Sequence, residues 1–182
     1  MAIRGSSLLS NLICDFTGPV SHVGLVIEVQ AAALDSITII QALARIEDKT
    51  LTESIADSRY AYILHALDLT ADERKFICAS AMSKLGVAYD YLDLVWQAAD
   101  KIFRTDSFTE RLHSPRKEIC SEFVADDYAK VGRLFGVAPD DAAPADIFNF
   151  AIAHPDKFSV IPLRLNGRAL ARHQRRLLLK HA

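Results

Sequence analysis

Strand-type and helix-type patterning occupy different stretches of this 182-residue chain. Residues 21–29, 36–42 and 60–67 alternate or carry β-branched runs and read as strands. Thr70 followed by Glu73 is a capping box that opens a helix running to about Leu85 and stopping at Gly86. Asp90 can cap a second helix to about Phe103. After a polar stretch at 104–117, a third helix spans 118–131 and ends at Gly132. Pro144 opens a short helix to about Ala153. A last strand at 158–164 carries Pro162, which suits a sheet edge. Residues 7–14 have the spacing of a short N-terminal helix. Together these segments predict one α+β domain over 1–164, a small antiparallel sheet packed against helices, followed by a basic helix or tail at 165–182.

Composition narrows the function classes. About half the residues are apolar and a quarter charged, an ordinary globular balance. The net charge of −2 argues against nucleic-acid binding by the whole chain. Three cysteines without a Cys-x-x-Cys pair form no disulfide framework and predict a reducing compartment. No apolar run approaches the roughly 20 residues that span a bilayer. Residues 8–14 are too short and too interrupted for a signal peptide. A cytoplasmic location is therefore expected.

Cys120 stands in what should be the first turn of the 118–131 helix, where the backbone dipole favours thiolate over thiol. Arg116 and Lys117 precede it. Cys120, Val124, Tyr128 and Val131 form one stripe of that helix, so the thiol faces the core's edge. Cys78 sits mid-helix among Phe76, Ile77 and Ala79 and reads as structural. Far upstream, His22 opens a strand after the Gly18-Pro19 turn, with Gly24 on the same face leaving room for a neighbour. A thiol with a histidine in reach is the minimal apparatus for acyl transfer. His113 is the next candidate base. Gln41, at the end of the 36–42 strand, is the candidate third member, its amide oxygen orienting the imidazole; capping an exposed strand end is the competing reading. Glu28 shares the His22 face but lies about 20 Å along an extended strand. Asp126 and Asp127 read as the solvated face of their helix. Tyr89 and Tyr91, before an apolar helix, are candidate pocket residues against a reading as plain core, and Ser121 joins them as a candidate substrate contact. No zinc helix, phosphate loop or serine elbow is present, so neither a metal nor an organic cofactor is expected.

The order of Ser21-His22-Val23-Gly24, then residues 86–91, then Cys120-Ser121-Glu122-Phe123-Val124 and Pro144-Ala145-Asp146-Ile147, resembles the circularly permuted papain-like hydrolases of the YiiX/YaeF type. These are relatives of the NlpC-type cell-wall peptidases and of lecithin retinol acyltransferase. The resemblance covers residues 4–163. It implies a permuted papain-like fold, Cys120 as nucleophile, His22 as base, a third polar group at Gln41 and an oxyanion-hole contribution from the Cys120 N–H. Members of that group often carry an acid or histidine where this chain has Gln41. They also open with a longer first strand, which here is expected to be shortened or absent, exposing a sheet edge.

The resulting expectation is a thiol hydrolase of amidase or peptidase type acting on a peptide, lipid-linked or other acyl substrate. Two alternatives stand beside it. One is an acyltransferase or thioesterase at a membrane surface, touched weakly through the basic tail, where Leu177, Leu178 and Leu179 accompany Arg172, Arg175 and Arg176; a solvated terminal helix is the simpler account of that tail. The other is a binding or structural module that keeps the fold without catalysis.

Overall fold

A computed structural model describes residues 1–6, 10, 14, 18–29, 34–43, 45–87 and 120–163. Among them the strands are β1 (Ala2–Gly5), β2 (His22–Val23), β3 (Leu25–Val29), β4 (Ile37–Ala42), β5 (Ile46–Thr50), β6 (Ser58–Ala66) and β7 (Phe158–Leu163). The helices are α1 (Leu51–Ile55), α2 (Ala71–Ser83), α3 (Cys120–Ala129) and α4 (Pro144–Ala153). The fold is α+β, as the sequence predicts, but with two antiparallel sheets in place of one: β2-β1-β6-β7 and β3-β4-β5.

Gly24 joins the sheets. The chain leaves β2 in the first sheet, passes Gly24 and enters β3 in the second. A side chain at Gly24 would put its Cβ 3.0 Å from the Ile40 carbonyl and 3.3 Å from Gln41 Cβ, so only glycine allows β4 this close. The 21–29 strand of the sequence reading is thus two strands meeting at a glycine.

Of the expected shortened or absent first strand, β1 is the shortened form, and the bare edge is not found. β1 pairs with β2 through Ile3↔His22 and with β6 through Ala2↔Tyr62 and Ile3↔Ala61. It is a central strand. Residues 46–55, unassigned by patterning, form β5 and α1; the helix begins with its own Thr50–Glu53 capping box. The polar run Glu47-Asp48-Lys49 hides β5 because a strand at the edge of its sheet needs no alternation to stay wet on one side.

Strand alternation sends neighbouring isoleucines of β4 to different cores. Ile40 packs with Val20, Val23, Phe123, Val124 and Phe148 beneath the helices. Ile39 packs on the other face with Ile3, Leu51, Ile63 and Ile161. Burial of Phe123, fully inaccessible, contributes about 2–3 kcal/mol.

Local signals hold the helices in place. Glu73 N donates to Thr70 Oγ1 at 3.2 Å and Thr70 N donates to Glu73 Oε2 at 2.7 Å. Pro144 stands in the first turn of α4, and Asp146 Oδ2 accepts from Ala143 N at 2.9 Å. Gly132 has φ +75° just beyond α3, the left-handed conformation that ends a helix. Pro162 lies opposite Tyr62 on the outermost strand β7, as expected of an edge. The expected helices at 7–14 and 90–103 and the basic tail at 165–182 lie wholly or mostly outside the described residues.

Of the two acids read as a solvated face, Asp126 keeps a 40% exposed side chain but Asp127 does not face solvent. Asp127 is fully buried, and its Oδ1 accepts from Ser80 Oγ at 2.7 Å, Lys130 Nζ at 3.0 Å and Lys84 Nζ at 3.2 Å. Asp126 Oδ2 lies 2.8 Å from both lysines. Asp127 is seven residues from Cys120, two helical turns along the same inward face, so the stripe that buries the thiol buries the carboxylate too.

Candidate active site

His22 and Gln41 meet. β2 carries the histidine and β4 the glutamine, and the absent side chain at Gly24 lets the two strands close on each other. His22 Nε2 lies 3.2 Å from Gln41 Oε1. An amide oxygen only accepts, so the ring holds its proton on Nε2 and offers Nδ1 as the free base. Gln41 is 3% exposed, which rules out the exposed-cap reading.

Cys120 packs against the same strand from the helix side. It is 2% exposed, and α3 rests on β2 and β4. The backbone N–H groups of Val23, Ser121 and Cys120 itself point at its sulfur. Val23 is the residue next to His22 in the chain, so the thiol sits against the main chain of the strand that carries the histidine. Three N–H donors around one sulfur favour negative charge there, and the same donors are suited to an oxyanion.

Burial outweighs them. Removal of the thiol from water pushes its pKa up to about 11, and Glu122 adds to the rise. This corrects the expectation of a thiolate at rest: the helix N-terminus lowers the value by less than desolvation raises it. Acidity therefore does not separate Cys120 from Cys78, whose thiol burial also shifts upward. Position does. Cys78 is half-buried mid-helix on α2, on the wall of a cavity, whereas Cys120 opens α3 against the backbone of β2.

His22 shifts in the complementary direction. Part of its side chain stays at the surface, yet the ring is enclosed closely enough that desolvation lowers its pKa to about 4. The Gln41 bond opposes this, while Lys49 and the chain's amino group add to the lowering. The resting pair is a neutral thiol and a neutral imidazole.

Ser121 is fully buried, and among the described residues its hydroxyl has no hydrogen-bond partner. Tyr89, Tyr91 and His113 lie outside the described residues. His154 is committed elsewhere, with Nδ1 2.8 Å from the Phe150 carbonyl and its ring stacked on Phe150. One participant escaped the sequence reading. The Val23 N–H gives no signal because its role is main-chain. Among the described residues no group of three His, Cys, Asp or Glu side chains could hold a metal ion, and no helix is long and apolar enough to cross a membrane.

No protein-family model matches the chain, and no curated protein does. Among solved structures, the chain is similar to the metalloprotein yiiX of Escherichia coli O157:H7, with a TM-score of 0.49 and 14% identity over 88% of this chain and 92% of that one.

Proposed function

We propose that the protein is a thiol hydrolase of the permuted papain-like type, with Cys120 as nucleophile, His22 as general base and Gln41 as the group that orients the base. One observation carries the reading: the Gln41 bond fixes the Nε2–H tautomer of His22, on the residue adjacent to the one whose N–H meets the Cys120 sulfur. The histidine strand precedes the cysteine helix in the chain, the order of the permuted type.

A thiol near pKa 11 beside an imidazole near 4 does not transfer its proton at rest. Deprotonation is instead coupled to attack. His22 Nδ1 takes the proton as the sulfur bonds to the acyl carbon, and the N–H groups around the sulfur receive the developing oxyanion. The protonated ring then gives its proton to the leaving amine or alkoxide as the C–N or C–O bond breaks, leaving a thioester on Cys120. Water, deprotonated by His22, hydrolyses the thioester and restores the thiol. An amide of a peptide or lipid-linked acyl group is the substrate class this reading favours.

Incubation with a panel of acyl p-nitroanilides and esters, read by chromogen release and by intact mass, tests it. An acyl adduct on the wild type and the Cys78→Ser variant, absent in Cys120→Ala, supports the assignment. An adduct that persists in Cys120→Ala removes it.

A further inference from the structure

The two sheets part around a slot one strand wide. β1 fills the space between β2 and β6, and its pairing stops at Ala2↔Val23 on one side and Ala2↔Tyr62 on the other. Met1 bonds in the same line: its amino group donates to the Gly24 carbonyl at 2.8 Å, and Gly24 N donates back to Met1 O at 3.0 Å. Past this point β3 and β6 run on, β3 paired outward with β4 and β6 outward with β7. Among the described residues nothing pairs with their inner edges, and a cavity of about 670 Å³ lies there.

The lining marks a strand edge, not a sheet face. Side chains alternate along a strand, so a cavity on one face touches every second residue. This cavity is lined by every residue from Val23 to Glu28 and from Ile63 to Ala66. Ile77, Val124 and Phe135, of the core beneath the helices, wall one side, and Ile37 and Ile161, of the opposite core, wall the other.

Backbone direction along both edges follows from bonds already made. Gly24 turns its N–H and C=O toward Met1, so Val26, two residues on, turns the same way into the slot. Leu67 N donates to Lys157 O at 2.7 Å, toward β7, so Leu64 and Ala66 face the slot. Arg74 Nη2 donates to the Ala66 carbonyl. That leaves the amide and carbonyl groups of Val26 and Leu64 facing each other across a strand-wide gap.

We propose that this slot is a docking site for an extended segment of a partner polypeptide, which adds as a strand in the line of β1. In the register of β1, successive guest residues bond Leu64 on one side and then Val26 on the other, over about four residues matching Ile63–Ala66. Both walls are apolar, so the guest carries small or β-branched apolar side chains on both of its faces. An aliphatic chain would fit the walls but leave the Val26 and Leu64 backbone groups without partners. The site makes no use of Cys120 chemistry and stands whether or not the protein is an enzyme.

The test combines fluorescence anisotropy with amide hydrogen exchange on the full 182-residue protein. The probe is a fluorescein-labelled Lys-Val-Ala-Val-Ala-Lys amide, with a copy N-methylated at alternate residues as control. Saturable binding that N-methylation weakens at least about tenfold, with exchange at the Val26 and Leu64 amides slowed at least about tenfold by the unmethylated peptide, supports the proposal. Binding indifferent to N-methylation overturns it, as does no saturable binding up to about 1 mM. Val26 and Leu64 amides already protected without peptide would show the slot filled from within the chain and also overturn it. Displacement of the peptide by dodecanoate, with no protection of those amides by dodecanoate itself, would assign the slot to acyl chains instead.

Discussion

His22 Nε2 donates to Gln41 Oε1 across 3.2 Å, from the strand before Gly24 to the strand that Gly24 allows to approach. The bond decides which ring nitrogen carries the proton. Replacing Gln41 with alanine frees the ring to turn, and kcat should fall about 10²-fold while KM changes little, the usual consequence of misplacing a catalytic group by about 1 Å. Gln41→Glu sets a carboxylate beside the ring and raises the His22 pKa. The acid limb of kcat/KM, expected near pH 4 in the wild type from the lowered His22 pKa, should move upward by about 1–3 units. A limb that stays in place in Gln41→Glu would separate Gln41 from the base.

Acid should unfold the protein partly through His22. Its folded pKa of about 4 lies below the ordinary 6.5. Between these values the unfolded chain takes up a proton that the folded chain refuses, so stability falls as pH falls from about 6.5 toward 4. At pH 5 the loss is at most about 2 kcal/mol, reduced by the ring's partial exposure. The gap between urea midpoints at pH 7 and pH 5 should narrow in His22→Gln, the remainder belonging to the buried Met1 amino group, whose pKa desolvation lowers to about 5. Equal pH sensitivity in the two proteins would count against the buried neutral ring.

Gly24→Ala should damage fold and site together. The added Cβ meets the Ile40 carbonyl at 3.0 Å, Ile39 Cγ2 at 3.1 Å and Gln41 Cβ at 3.3 Å. Two of these contacts are with rigid parts of β4, so the strand must shift. A loss of about 1–3 kcal/mol in urea unfolding is expected, with the activity loss of Gln41→Ala reproduced at temperatures where the variant stays folded. Wild-type activity in a destabilised Gly24→Ala would mean that the β2–β4 approach is not what aligns the pair.

The buried carboxylate on α3 is a structural anchor. Asp127→Ala leaves Lys84, only 16% exposed, without its buried partner. A cost of about 3 kcal/mol is expected. Asp127→Leu combined with Lys84→Met should recover part of that loss, because an apolar pair carries no desolvation penalty. Chemical denaturation of the single and double variants measures both. Additive losses in the double variant would show that the two side chains do not act as a pair.

Much of the fold was legible because its signals are local. The Thr70–Glu73 box, Gly132 and Pro144 each act within a turn or two, and each stands where the sequence reading put it. β1 and β5 were illegible for the opposite reason: four residues at one end of the chain and a charged run become strands only through partners far away in sequence. In the site, the His22–Gln41 contact followed from two adjacent strand patterns. The state of the thiol did not. A helix position announces a dipole, but the desolvation that overrides it comes from packing against residues far away in sequence, which no window around Cys120 contains.

The chain order of the site also sets when it can exist. His22 and Gln41 lie on β2 and β4, and the hairpin that joins β3 to β4 is local, so this half can assemble while later residues are still being made. Cys120 reaches β2 only after the whole of β6 and α2 has been synthesised. On a ribosome, the thiol therefore emerges last of the three, and a chain truncated before α3 carries the His22–Gln41 pair without the nucleophile proposed for it.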